Sequence, residues 1–82
     1  MSIMVMNIEK NVEDIEEGDY YPHPKGFHEF NGKTYSKVIR IGDANAYQCL
    51  NFPPGQRKII TLKGRQEINV PYGEKVIVYV SL

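Results

Sequence analysis

The chain of 82 residues has a single cysteine, no long apolar run and no recognisable catalytic motif, and each of these scarcities bears on what the protein can be. Cys49 alone cannot form an intrachain disulfide, and one thiol without a framework fits a reducing compartment better than a secreted one. No apolar run approaches the roughly 20 residues that span a bilayer. The opening Met1–Met6 is apolar but short, has no basic leader, and gives way to Asn7 and Glu9, so it does not read as a signal peptide. The expectation is a soluble, cytoplasmic protein with no membrane partner. Catalytic signatures are equally scarce. There is no glycine-rich phosphate loop, no serine nucleophile elbow and no paired-carboxylate pattern. Neither an enzyme nor a cofactor is expected.

What is present is a segregation of charge. Residues 1–19 hold six acids (Glu9, Glu13, Asp14, Glu16, Glu17, Asp19) against Lys10, giving −5. Residues 20–82 hold nine bases against four acids, Glu29, Asp43, Glu67 and Glu74, giving +5. The split describes a basic body with an acidic segment beside it, which bears on surfaces and partners rather than on catalysis. The length corresponds to one domain, residues 1–82, which buries only about 60–65 % of the surface its unfolded chain exposes. So small a core benefits from a partner, another protein or a second copy.

From Tyr20 onward, turn signals separate β-rich runs. Asn31-Gly32 supplies the two positive-φ positions of a type I′ hairpin between Phe27–Phe30 and Lys33–Ser36. A strand over Thr34–Ile41 is broken by Gly42–Asn45, and another is expected over Ala46–Phe52, closed by Pro53-Pro54-Gly55. Arg57–Leu62 and Gln66–Val70 flank the tip Lys63-Gly64-Arg65, and Pro71–Glu74 turns the chain into Lys75–Leu82. That last run is apolar on both faces, which predicts a central strand buried on both sides. The fold class is therefore mainly β: an antiparallel meander closing into a five- to seven-stranded barrel or a compact sandwich.

The acidic segment differs. Ser2–Ile8 can pair as a strand, whereas Ile8, Val12 and Ile15 form a helical stripe. We read residues 11–17 as a short helix, capped by Asn11 and ended by Gly18, in preference to an irregular loop. It is the one helix expected.

Four groups of residues invite a functional reading, each beside a plainer one. In Tyr20-Tyr21-Pro22-His23-Pro24 each proline holds its predecessor extended. A stiff strip of this kind loses little entropy on docking, with Tyr20, Tyr21, His23 and Phe27 as anchors. The plainer reading is a linker whose tyrosines cover the core. His23, His28 and Cys49 are the soft metal ligands, but they lack zinc-site spacing and no metal is expected. Cys49 sits in a strand pattern without the basic neighbour that would activate it as a nucleophile. Arg40, Arg57, Lys58, Lys63 and Arg65, joined by Lys33 and Lys37, form a basic stripe, with Tyr35 or Tyr47 as stacking surfaces for a nucleic acid. Hairpin tips are also where solubilising charges normally sit. Finally, the six acids offer a surface to a basic partner, or cover the domain's own stripe.

The first functional expectation is a small non-enzymatic protein–protein interaction module: a regulator or inhibitor of a larger protein, or a subunit of an assembly, with homo-oligomerisation open. Compact domains of this sort are frequent among phage and mobile-element products, and a phage-like origin is expected by that association alone. The second is a nucleic-acid-binding small β-barrel using the basic stripe.

Overall fold

The computed structural model describes residues 4–82 of the chain. Seven strands form an antiparallel sheet: β1 (Val5–Asn11), β2 (Tyr20–Pro22), β3 (His28–Phe30), β4 (Lys33–Asp43), β5 (Arg57–Leu62), β6 (Glu67–Pro71) and β7 (Lys75–Ser81). Their order is β1-β7-β2-β4-β5-β6, with β3 pairing β4 as well. Among the described residues no ladder joins β1 to β6, so the path is open; of the two expected forms, a closed barrel or a compact sandwich, barrel closure is not found. Nor is it a simple meander, because the last strand lies between the first two. Ser2 and Ile3 of the expected first strand lie outside the described residues.

Positive-φ residues set three of the expected turns, two of them hairpins. Asn31 (φ 53°) and Gly32 (φ 83°) join β3 to β4, and Gly64 (φ 95°) and Arg65 (φ 68°) join β5 to β6. Gly73 (φ 85°) turns β6 away from its neighbour and sends the chain into β7. β4 is the longest strand, and a register shift between Val38 and Arg40 divides it. Its first half pairs with β2 and β3, its second half with β5. The irregularity re-aims the strand and lets one sheet fold over its own core.

That core comprises Val12, Ile15, Tyr21, Val38, Ile60, Leu62, Val70 and Val78. β7 is central, as its composition implies, but only one of its faces is sealed: Val78 is fully buried while Ile77 is half-exposed. On the reverse face Tyr79 joins Tyr20, His28, Phe30 and Tyr35 in an aromatic cluster, for example with Phe30 and Tyr79 ring centroids 4.7 Å apart. Short β3 folds its aromatics over this face and gives the sheet a second, smaller apolar layer.

Two expectations fail locally. The helix over 11–17 reduces to one 3₁₀ turn, Val12–Asp14, with no side-chain cap from Asn11. β1 runs on to Asn11 because β7 offers a continuous ladder, and under two turns of helix cannot compete with it. One 3₁₀ turn still buries both Val12 and Ile15, since residues three apart eclipse in that geometry. The expected strand Ala46–Phe52 is instead a run of turns within the β4–β5 connection. Asn45 and Gln48 decide this: Asn45 Oδ1 accepts from Gln48 N at 2.8 Å, and Gln48 Oε1 accepts from Asn45 N at 2.9 Å. This reciprocal pair is a capping box, and it starts a helical turn where strand alternation had been read.

The acidic segment is also not a separate surface. Asp19 is buried and bonded by Lys10 Nζ at 2.8 Å and Glu16 N at 3.0 Å. Glu13 Oε1 accepts from Gly73 N at 2.8 Å, which holds its carboxyl below the ordinary value of 4.5. Only Glu9, Asp14, Glu16 and Glu17 of the six acids are left exposed.

Candidate interaction surface

The connection from Ala44 to Gln56 is the longest segment without strand pairing, and its base is stapled on both sides. Ala44 N donates to Arg57 O at 2.9 Å and Tyr72 N to Gln56 O at 3.0 Å. Asp43, just before the loop, pairs with Lys58 Nζ at 2.9 Å and accepts the Tyr72 hydroxyl. The Tyr72 hydrogen bond, and after it Lys58, lowers the Asp43 carboxyl below its ordinary 3.8. The same contacts raise Tyr72 and Lys58 above their usual values, chiefly through Asp43.

Inside the loop a relay continues. The Arg57 guanidinium lies 3.9 Å from the centre of the Phe52 ring, and its Nε donates to Asn69 Oδ1 at 2.5 Å. Asn69 Nδ2 in turn donates to Gln48 O at 3.1 Å. The backbone between these anchors is wound by Cys49 N to Asn45 O (3.2 Å) and Phe52 N to Cys49 O (3.0 Å). A loop held this way is pre-organised, and presents its side chains with little ordering entropy left to lose.

Several of those side chains are apolar. Tyr47 is 81 % exposed and Leu50 70 %, and Phe52, Pro53 and Pro54 are exposed beside them. Single exposed apolar residues need no explanation, but an aromatic and a leucine three residues apart on one stapled loop are a candidate contact surface. Sequence reasoning misplaced this segment in a strand; the signal that would have found it is Asn45-x-x-Gln48.

The docking strip divides. Tyr20 and Tyr21 are 4 % and 8 % exposed, Tyr20 in the aromatic cluster and Tyr21 in the core, with burial raising the Tyr21 hydroxyl above its ordinary value. As surface anchors they are therefore corrected: they form the wall of the domain. His23 is half-buried and fixed in a turn, accepting Lys25 N on Nδ1 at 3.1 Å and Thr34 Oγ1 on its carbonyl at 2.7 Å. Phe27 alone is exposed, with its ring edge against Gly64.

The basic stripe divides as well. Arg57 is buried, and Lys58 is turned to Asp43 and the Tyr72 ring. Both work inside the domain because the loop between β4 and β5 needs them there. Arg40, Lys63 and Arg65 stay exposed, the last two on either side of Gly64, the residue that the Phe27 ring lies against. Tyr35 is buried and offers no stacking surface. Among the described residues no cluster of His, Cys, Asp and Glu is arranged to hold a metal ion, and no helix is long and apolar enough to cross a membrane. A cleft of about 460 Å³ lies between Ile8, Lys10 and Val80 on one side and Glu16–Asp19 and Lys37 on the other. Lys10 and Asp19 within it are committed to one another, while Glu16, Glu17 and Lys37 at its rim are exposed. No family model, curated protein or solved structure matches this chain.

Proposed function

We propose that this protein is a small, non-enzymatic protein–protein interaction module, a regulator or inhibitor of a larger protein or a subunit of an assembly, which engages its partner through the Ala44–Gln56 loop. The observation that carries the reading is the pairing of exposed Tyr47 and Leu50 with the stapled backbone beneath them. Rigid aromatic and aliphatic anchors on a fixed loop supply contact area at low entropic cost, and such anchors carry most of the binding energy at protein interfaces. The exposed charges around the domain set orientation and encounter rate rather than affinity. A lone free Cys49 fits a reducing compartment such as the cytoplasm. The test is capture from the native host, with the wild-type chain beside a Tyr47→Ser/Leu50→Ser variant. The wild type should enrich a protein that the variant leaves behind, with melting temperature unchanged. Equal enrichment by both would overturn the loop as the binding surface.

One observation supports the nucleic-acid reading as a second. The exposed Phe27 ring lies against Gly64 at the β5–β6 tip, whose sequence neighbours Lys63 and Arg65 are both exposed cations, so a stacking ring and two charges share one end of the domain. A single-stranded oligonucleotide bound there would lose affinity steeply with salt, and Lys63→Ala with Arg65→Ala would flatten that slope by about two ion equivalents. No binding at low salt ends this reading.

A further inference from the structure

Among the described residues the strand path of the open sheet ends at β1 and β6, with β3 as a third outer strand, and two of these three are protected. β3 is only three residues long. β6 has five, ends on Pro71, and has Asn69 engaged with the β4–β5 loop. Short edges and proline are the usual defences against intermolecular pairing. β1 has seven residues, Val5–Asn11, without proline, glycine or bulge.

Its free backbone groups can be assigned from the ladder. β1 pairs β7 from Val5↔Ser81 to Asn11↔Lys75, and the ladder is prolonged by Leu82 N to Met4 O (3.0 Å) and Val12 N to Glu74 O (2.8 Å). Hydrogen-bonded pairs alternate in an antiparallel ladder. Even-numbered residues of β1 therefore bond to β7, and Val5, Asn7, Glu9 and Asn11 turn their N–H and C=O groups away from the domain. The side chains add to this. Met6 (47 % exposed) and Ile8 (40 %) stand on the face that Val78 and Val80 continue, yet nothing covers them among the described residues.

We infer that β1 pairs with β1 of a second copy, antiparallel about a two-fold axis at Asn7. In that register Asn7 opposes Asn7 of the second copy, Met6 opposes its Ile8, and Val5 opposes its Glu9. The strand complements itself. All outward groups from Val5 to Glu9 find partners, giving about six inter-chain hydrogen bonds, two for each facing pair. The two Met6–Ile8 contacts are close non-hydrogen-bonded pairs, the stronger kind of apolar cross-strand contact. No like charges face each other, since Glu9 meets Val5 and Lys10 is held by Asp19 at 2.8 Å. The overlap covers the exposed stretch of β1 and stops short of Val12, where the chain leaves the sheet edge. The inference is independent of the Ala44–Gln56 loop, which stays free in such a dimer to bind a partner.

Sedimentation equilibrium on the full chain should show a concentration-dependent dimer. Asn7→Pro removes only an outward N–H, so the β1–β7 ladder survives while the dimer dissociation constant rises at least about tenfold. A cysteine pair locates the contact. Asn7→Cys in a Cys49→Ser background brings two thiols together at a Cα separation of about 5.5 Å, within disulfide range. It should oxidise to a covalent dimer, whereas Glu67→Cys on β6 should not. A strict monomer up to about 1 mM overturns the inference. So does a dimer indifferent to Asn7→Pro, or one cross-linked as readily through residue 67. If Asn7→Pro fails to fold, the two cysteine variants still decide.

Discussion

The guanidinium of Arg57 lies on the ring of Phe52, 3.9 Å from its centre, and so fastens the first residue of β5 to the far side of the loop that precedes it. Arg57 also holds Asn69 through Nε and Nη2. One buried cation thereby sets the position of a loop most of whose side chains face solvent. Replacing it with alanine leaves Asn69 without its donor and Phe52 without its cover. We expect a loss of about 1–3 kcal/mol and faster amide exchange at residues 45–52. Arg57→Lys should recover little, because an ammonium cannot stack and fork at once. Unchanged exchange in the loop would show that the stack is not what holds it.

Two tyrosines separate core from surface. Tyr21→Ala should destabilise the domain by about 3–5 kcal/mol, since it empties a buried aromatic site. Tyr47→Ala should stay within about 0.5 kcal/mol. Urea unfolding of both variants checks this. A large loss at Tyr47 would mean that the loop side chain packs in solution, and that the proposed contact surface is closed.

Stability should fall at both ends of the pH scale. Glu13 and Asp43 are lowered by hydrogen bonds, from Gly73 N and from Tyr72 with Lys58 respectively. A lowered carboxyl contributes stability that is present above its unfolded value and is lost as pH falls through its folded one, so the acid limb begins below about pH 4.5. Tyr72 and Lys58 are raised, chiefly by the hydrogen bond to Asp43, and Tyr21 and Tyr35 are raised by burial. Each of these binds its proton more tightly when folded. Their contribution is therefore complete below about pH 10 and disappears as pH climbs through the folded values. Circular dichroism at fixed urea should trace a plateau between these limbs. In Asp43→Asn the acid limb should shrink, and Tyr72 should titrate nearer its ordinary value.

How far the residues announced this structure depends on which local rule governed each segment. Asn31-Gly32, Lys63-Gly64-Arg65 and Gly73 act through backbone conformation that few other residues tolerate, so the turns they specify were legible. The apolar run at residues 76–80 marked a central strand, but its neighbours are set by long-range pairing, which spacing does not encode. At residues 45–52 the alternation of Ala46, Leu50 and Phe52 suggested a strand, while two side chains, Asn45 and Gln48, wound the backbone into turns. At 8–15 the i, i+4, i+7 stripe was real in its buried members, Val12 and Ile15, yet β7 drew Ile8 into a ladder. The candidate sites followed the same division. Tyr20, Tyr21 and Arg57 look like surface anchors by residue type, and only burial reveals them as framework. The exposed Tyr47–Leu50 pair was hidden by the mistaken strand.

Two glycines allow a final prediction with opposite signs. A Cβ at Gly26 would stand 2.4 Å from Tyr35 O and 2.5 Å from its C and N atoms. These are backbone atoms of a strand paired on both sides, by Pro22 and by His28, so no rotamer change can make room. The Pro24–Phe27 turn would have to lift, breaking Gly26 N to His23 O at 3.0 Å and moving Phe27 away from Gly64. Gly26→Ala should therefore cost about 1–3 kcal/mol or more, the range for overpacking against an unyielding wall. At Gly42, exposed in the outer half of β4, a Cβ meets nothing within 4 Å and no left-handed φ stands in the way. Gly42→Ala should stabilise by about 0.4–1 kcal/mol, through the entropy it removes from the unfolded chain. Thermal melts of the two variants read both signs at once. If Gly26→Ala melts with the wild type, the turn does not lie against β4, and Phe27 loses the support that holds its ring against Gly64.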